Sequence, residues 1–183
     1  MLMNRRPLVW ILPFLPAMLG LTAQTRRPPA GPWAFTQQSA LVLTVPAASR
    51  RAVSADLEYD GNELVKGAAL DFNGDAVVDY LLQSAPSLCG NGGCLYVLCD
   101  GRTQKKIGEF LASALYVQAE RSYGYPAIAA YSRQSAASAT YTEFGFDGKT
   151  YVVTSTRTEE GPALDRLLEA LRQVPVWRLG TAQ

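Results

Sequence analysis

The chain has 183 residues, 48% of them hydrophobic, with 17 basic residues, 16 acidic residues and no histidine. Charge this balanced leaves no global footprint for nucleic acid or for an anionic membrane surface. The lack of histidine removes the commonest general base and the commonest zinc ligand.

Residues 1–23 read as a secretory signal peptide. Arg5 and Arg6 form its charged start, residues 8–21 are uncharged and mostly apolar, and Ala23 puts a small residue at the cleavage position. The apolar run is 14 residues long, short of the roughly 20 that span a bilayer. No membrane span is expected after cleavage, and Gln24 is expected at the new N-terminus. Cleavage removes two arginines and no acid, leaving 15 basic and 16 acidic residues. The 160 residues that remain suit one domain with its own core. Export places the chain in the periplasm or outside the cell.

Residues 24–38 read as a basic, proline-rich linker, with Arg26, Arg27, Pro28, Pro29 and Pro32. Residues 39–157 read as a β domain. A β-branched run at 41–45 predicts a first strand, and residues 56–59 lead toward the turn at Asp60 and Gly61. Strands are expected at 77–83, 94–99, 107–110, 114–119, 127–131, 140–146 and 151–156. Asp-Gly pairs at Asp100 and Asp147 predict tight hairpins in which both central residues take positive φ. A weak repeat is visible. The segments 79–84 and 126–132 share a pattern, and each leads through a strand to an Asp-Gly-basic-Thr turn, at 100–103 and 147–150. The three Asp-Gly turns are 40 and 47 residues apart, about one propeller blade per copy.

Residues 161–174 predict a helix. Pro162 suits a first helical turn. Leu164, Leu167, Leu168 and Leu171 fall on one stripe, and Pro175 ends the run. Its polar face mixes signs, which favours packing on a sheet over lying on a membrane. Residues 175–183 form a tail. The expected fold class is therefore mainly β, with antiparallel, propeller-blade-like hairpins and one C-terminal amphipathic helix.

Asp71, Asn73, Asp75 and Asp79 surround Gly74 at positions 1, 3, 5 and 9 of one short segment. Short oxygen-bearing side chains at that spacing can fold back around one hard cation. A metal-free turn rich in side-chain-to-backbone bonds uses the same residue types. Position twelve is Leu82 rather than a bidentate acid, and a strand follows the loop, so this is not an EF-hand. Three cysteines in an exported chain suggest one disulfide and one free thiol. Cys94 and Cys99 bound one predicted strand, which at about 3.3 Å per residue separates them by roughly 16 Å, beyond the ~7 Å reach of a bridge. Cys89 and Cys94 flank a glycine-rich turn that can close, so they are the expected pair, with Cys99 a buried apolar residue. The glycines of that turn could also present N–H groups as an anion nest, although the bend alone accounts for them.

Tyr116, Tyr123, Tyr125, Tyr131 and Tyr141 could line a carbohydrate or peptide face, or simply cover a sheet. No nucleophile-elbow or P-loop motif is present. Glu109, Glu120 and Glu143 are isolated, and Cys99 has no histidine to activate it.

The acidic loop with its following strand resembles the calcium loops of FG-GAP and VCBS-type β-propeller repeats. More of the chain, from Ala69 to Val153, is similar to a set of uncharacterised proteobacterial exported proteins. These share the acidic loop, a CGSGGC-like turn (here Cys89 to Cys94), a Gly124-Tyr125-Pro126 segment and a final Phe146-Asp147-Gly148-Lys149 run before Tyr151. The resemblance implies an envelope location and a β-rich fold. It implies Ca²⁺ held by side-chain oxygens of Asp71, Asn73, Asp75 and Asp79 with the carbonyl of Val77, in a structural role. It departs at Ala76, where those loops carry a glycine with positive φ. The expected function is a non-enzymatic, exported binding or structural module meeting an envelope protein or glycan. A periplasmic enzyme inhibitor, against lysozyme for instance, is the alternative by analogy, and a small hydrolase comes third.

Overall fold

The computed structural model describes residues 31–57 and 65–177. The expected leader, Asp60 and Gly61 lie outside them. The elements are β1 (Trp33–Thr36), β2 (Leu41–Val42), α1 (Ala47–Leu57), β3 (Lys66–Leu70), β4 (Asp79–Gln83), β5 (Cys94–Cys99), β6 (Lys106–Ala112), β7 (Ala114–Ser122), β8 (Tyr125–Arg133), β9 (Ser138–Phe146), β10 (Tyr151–Glu160) and α2 (Gly161–Arg172). The protein is mostly β. Its strands form two five-stranded sheets, ordered β2-β3-β4-β5-β6 and β1-β7-β8-β9-β10, and every strand pairing is antiparallel.

The two sheets share one core. Leu70, Leu81, Tyr96, Leu98 and Phe110 from the first meet Phe35, Leu115, Val117, Ile128 and Phe146 from the second. Edge-to-face rings join them, with Phe35 on Tyr96 at 5.8 Å and Phe110 on Phe144 at 5.0 Å. The alternate residues of each sheet point outward, and a helix covers each outer face. Val53 and Leu57 of α1 pack with Leu82, Val97 and Cys99. Leu167 and Leu171 of α2 pack with Ala34, Ala114, Tyr116, Ala129 and Tyr141. The layers thus run helix, sheet, sheet, helix.

This arrangement corrects several expectations. The hairpins stack as two layers rather than as propeller blades. The reason is local: only Ser113 separates β6 from β7, so the chain turns a sharp corner from one sheet into the other. The weak repeat maps onto this division. Asp79 opens β4 and Pro126 lies in β8, each the third strand of its sheet. The turns at 100–103 and 147–150 each join a sheet's fourth strand to its fifth.

The segment read as a linker contains β1, whose Trp33 and Phe35 are fully buried. Helix α1 forms where no helix was expected and takes in Asp56 and Leu57 of the 56–59 lead-in, and β3 has no counterpart among the expected strands. Of the predicted first strand, Leu41 and Val42 pair with β3, and Leu43 N adds one bond to Val65 O (2.9 Å). The tail also joins the fold, since Ala34 N donates to Pro175 O (2.8 Å) and Trp177 N to Ala34 O (2.7 Å). The C-terminal helix forms as expected on a sheet face, ending at Arg172.

Candidate functional site

The acidic loop joins β3 to β4 and is closed by its own side chains. Asp71 Oδ1 accepts from Gly74 N (2.7 Å) and Asp75 N (3.0 Å), and its Oδ2 accepts from Ala76 N (3.0 Å). Asn73 Oδ1 accepts from Asp75 N (3.0 Å), and Asp75 Oδ1 from Val77 N (2.8 Å). These are Asx-type bonds, in which a short side chain replaces a backbone acceptor two to five residues upstream. Ala76 sits at φ +64°, the left-handed conformation that the resemblance assigns to a glycine.

Other loops dock against this one. Asp79, buried at the start of β4, accepts from Phe72 N (3.0 Å) and from Gly101 N in the β5–β6 turn (2.8 Å). Arg102 of that turn pairs with Asp75 Oδ2 through Nε and Nη2, each at 3.0 Å. Tyr125 Oη donates to Asp100 Oδ2 (2.6 Å) and accepts from Asn73 Nδ2 (3.1 Å). Arg121 Nη1 donates to Phe72 O (2.8 Å) and Gly124 O (2.6 Å). Beyond them, the Tyr123 ring lies beside Gly148 of the β9–β10 turn. Four connections therefore meet at one end of the sandwich, with the acidic loop between two of them.

All three non-glycine residues with positive φ among the described residues, Ala76, Gln104 and Tyr123, fall in these connections. Tyr123 and Gly124 form the two-residue link between β7 and β8, at φ +50° and +85°. This pair, rather than either Asp-Gly turn, makes the hairpin with two positive φ values. In the Asp-Gly turns the aspartate acts through its side chain instead. Asp147 Oδ1 accepts from Lys149 N and Thr150 N, each at 2.8 Å, and Asp100 Oδ1 accepts from the Thr103 hydroxyl (2.6 Å).

The electrostatics follow the contacts. The N–H of Val77 holds the Asp75 carboxyl below its usual range, helped by Arg102. Burial pushes Asp79 up to about 6, against its two N–H donors. Asp100 is partly buried, yet bonds from Thr103 and Tyr125 hold it low. Burial, and then the bond to Asp100, raise the Tyr125 phenol.

The structure brings Asp71, Asn73, Asp75 and Asp79 into one network. Val77 enters it through its N–H. Among the described residues no three acidic, cysteine or histidine side chains stand as a ready metal-holding group. The loop keeps its form through N–H-to-carboxylate bonds. Its donors are nonetheless all hard oxygens, the chemistry calcium prefers. Asp71 Oδ2, Asn73 Oδ1 and Asp75 Oδ1 each accept a single N–H bond, which leaves a lone pair on each. Sequence reasoning missed Arg102, Arg121 and the role of Tyr125, because each reaches the loop from 27 or more residues away, and it missed Asp100, which joins the network only through Tyr125.

The expected disulfide is present between Cys89 and Cys94, and Cys99 is free and buried. Of the tyrosines, Tyr116, Tyr125 and Tyr141 are buried, whereas Tyr123 is 75% exposed at its hairpin tip. Glu143 accepts from the Ser155 hydroxyl, and Glu109 pairs with Lys106. The chain matches no protein-family model, no curated protein and no solved structure.

Proposed function

We propose that this chain is an exported, non-enzymatic binding or structural module of the bacterial envelope, and that its acidic loop takes a structural calcium ion. The observation that carries this reading is the use made of the carboxylates. Asp71 closes its own loop through three N–H groups, while Asp75, Asp79 and Asp100 hold an arginine, an N–H and a phenol of other connections and so fasten loops to one another. A cation at Asp71, Asn73, Asp75 and Asp79, with the Val77 carbonyl, would reinforce that fastening. The resemblance to FG-GAP and VCBS-type loops points the same way, and the positive φ of Ala76 fits it. The Cys89–Cys94 disulfide is compatible with an oxidising compartment outside the cytoplasm. Among the described residues no helix is long and apolar enough to cross a membrane.

Thermal melting in excess calcium against excess chelator tests the metal. Exported proteins meet calcium near millimolar, so a site with Kd of about 10⁻⁴ M adds about 1.4 kcal/mol. That is a rise of about 3–6 °C for a domain of this size. Asp75→Ala is expected to abolish the rise and keep the fold. Equal midpoints for the wild type in calcium and chelator would leave the loop as a plain turn. A lysozyme assay addresses the inhibitor alternative, and stoichiometric inhibition would put an inhibitor in place of the binding or structural module.

A further inference from the structure

The opposite end of β8 carries a second feature. A cavity of about 300 Å³ opens between the disulfide-closed turn and the β8–β9 hairpin, lined by Asn91, Arg133, Ser135 and Ala136. That volume lies at the lower bound for small-molecule sites. Both walls are built. On the turn side, Gly90 N donates to Gly93 O (2.8 Å) and Gly93 N to Gly90 O (3.0 Å), inside the loop that the disulfide closes. Ser132 Oγ donates to Gly92 O (2.7 Å), which ties the turn to β8. At Gly93, φ is +109° and a Cβ would meet Ala112 O at 1.9 Å, so the turn is pressed onto the β6–β7 corner. Asn91 is therefore presented from a fixed backbone.

On the hairpin side, Ser135 N and Gln134 N both donate to Ser138 O (3.1 and 3.0 Å). Arg133 Nε donates to Ser135 O (2.9 Å), which steadies the guanidinium over the hairpin. Among the described residues Arg133 makes no ion pair. Glu159 lies in its strand row, through Ala139, but is taken by Arg157 at 3.0 Å. The walls thus offer one unneutralised guanidinium and an amide, with no acid among the lining residues, beside a Ser135 hydroxyl that accepts from Ala137 N (3.1 Å) and shares a bond with Ser138 Oγ (3.0 Å). A guanidinium in that setting favours carboxylate or phosphate oxygens.

We propose that this cavity binds a small oxyanion-bearing ligand, a carboxylate or phosphate group on a hydroxylated scaffold such as an acidic sugar. Arg133 pairs with the oxyanion, Asn91 orders the scaffold, and Ser135 holds the hairpin wall in shape through its bonds to Ala137 N and Ser138 Oγ. The site is separate from the acidic loop and does not rest on calcium. The test is amide-resolved NMR titration of the full chain, disulfide intact, in excess chelator, so that its outcome is independent of any metal. Glucuronate and inorganic phosphate are added separately, with glucose as the uncharged control. At least one anion is expected to give saturable shifts at Asn91, Gly92, Arg133 and Ser135, with glucose at least about tenfold weaker. The arm that saturates first assigns the group as carboxylate or phosphate. Arg133→Gln should weaken binding by roughly tenfold, the loss expected for charge-assisted hydrogen bonds, and Arg133→Lys by less. Three results would overturn the proposal: no saturable shift with either anion, glucose binding as well as glucuronate, or natively folded Arg133→Gln binding as tightly as wild type.

Discussion

Ala76 shows most directly how one residue reports on its loop. Its amide donates to Asp71 Oδ2, and its φ of +64° turns the chain on toward Val77. For an L-residue with a Cβ the left-handed conformation costs about 1–2 kcal/mol. Glycine adopts it freely but gives up more entropy on folding. Ala76→Gly is therefore expected to stabilise the protein by about 0.5–1 kcal/mol in chelator, measured by denaturant melting. A destabilised Ala76→Gly would mean that the methyl is held in place by packing rather than tolerated under strain. Tyr123 carries the same backbone sign for another reason. It fills the first position of a two-residue hairpin whose twist demands positive φ, and its ring rests beside Gly148.

At the scale of elements, what the sequence disclosed depended on how each strand is covered. The turn at Asp147 and Gly148 made the end of β9 and the start of β10 legible, and β5 was legible between Cys94 and Cys99, whereas the far ends of β9 and β10 run on to Ser138 and Glu160, beyond the expected 140 and 156. Strand β1 is buried at Trp33, Ala34 and Phe35 alike. It therefore has no alternation to detect, and the prolines and arginines before it disguise it further. Helix α1 meets its sheet through Ser49, Val53 and Leu57, a narrow stripe interrupted by Arg50 and Arg51. Strand β3 is Lys-Gly-Ala-Ala-Leu, small residues with little β signature. Its Gly67 has a structural cause. A Cβ there would meet Leu81 O at 2.1 Å and Leu82 Cα at 3.0 Å in the neighbouring strand. Gly67→Ala is expected to push β3 off β4 and cost at least about 2 kcal/mol, the scale of overpacking in a tight core. Hydrogen exchange should show amides of β3 and β4 losing protection before those of β8 and β9. Uniform protection in the variant would show that this contact relaxes without cost. The candidate site was legible as a loop and not as a network, because its partners come from β7, β8 and the β5–β6 turn. The β5–β6 turn reaches the loop within its own sheet, and the stacking of the two sheets adds Arg121 and Tyr125 from the other.

At the scale of the whole molecule, the shared core sets how the protein meets alkali. Tyr96, Tyr125 and Tyr151 lie in it with their phenols raised, first of all by desolvation. Tyr116 is pushed up to about 12 under α2, and the Cys99 thiol to about 12 under α1, both mainly by burial. In each case the charged form is disfavoured in the fold and accessible once the chain unfolds. A folded pKa above the unfolded one means that the native state binds more protons between the two values. Stability from these groups is therefore fully present below about pH 8, where the unfolded thiol begins to ionise, and falls as pH rises through about 10 toward 12. Urea midpoints should stay level in this respect up to about pH 8 and then drop, more steeply above about pH 9.5 as the unfolded phenols begin to ionise. Phenolate absorbance should rise in a steep step together with loss of the near-ultraviolet circular dichroism signal, as buried tyrosines ionise only when the sheets part. Cys99 should resist alkylation at about pH 8 until denaturant is added. If the tyrosines titrated smoothly near about pH 10 with the dichroism unchanged, water would have to reach the phenols between the sheets, and a tightly packed shared core would be ruled out.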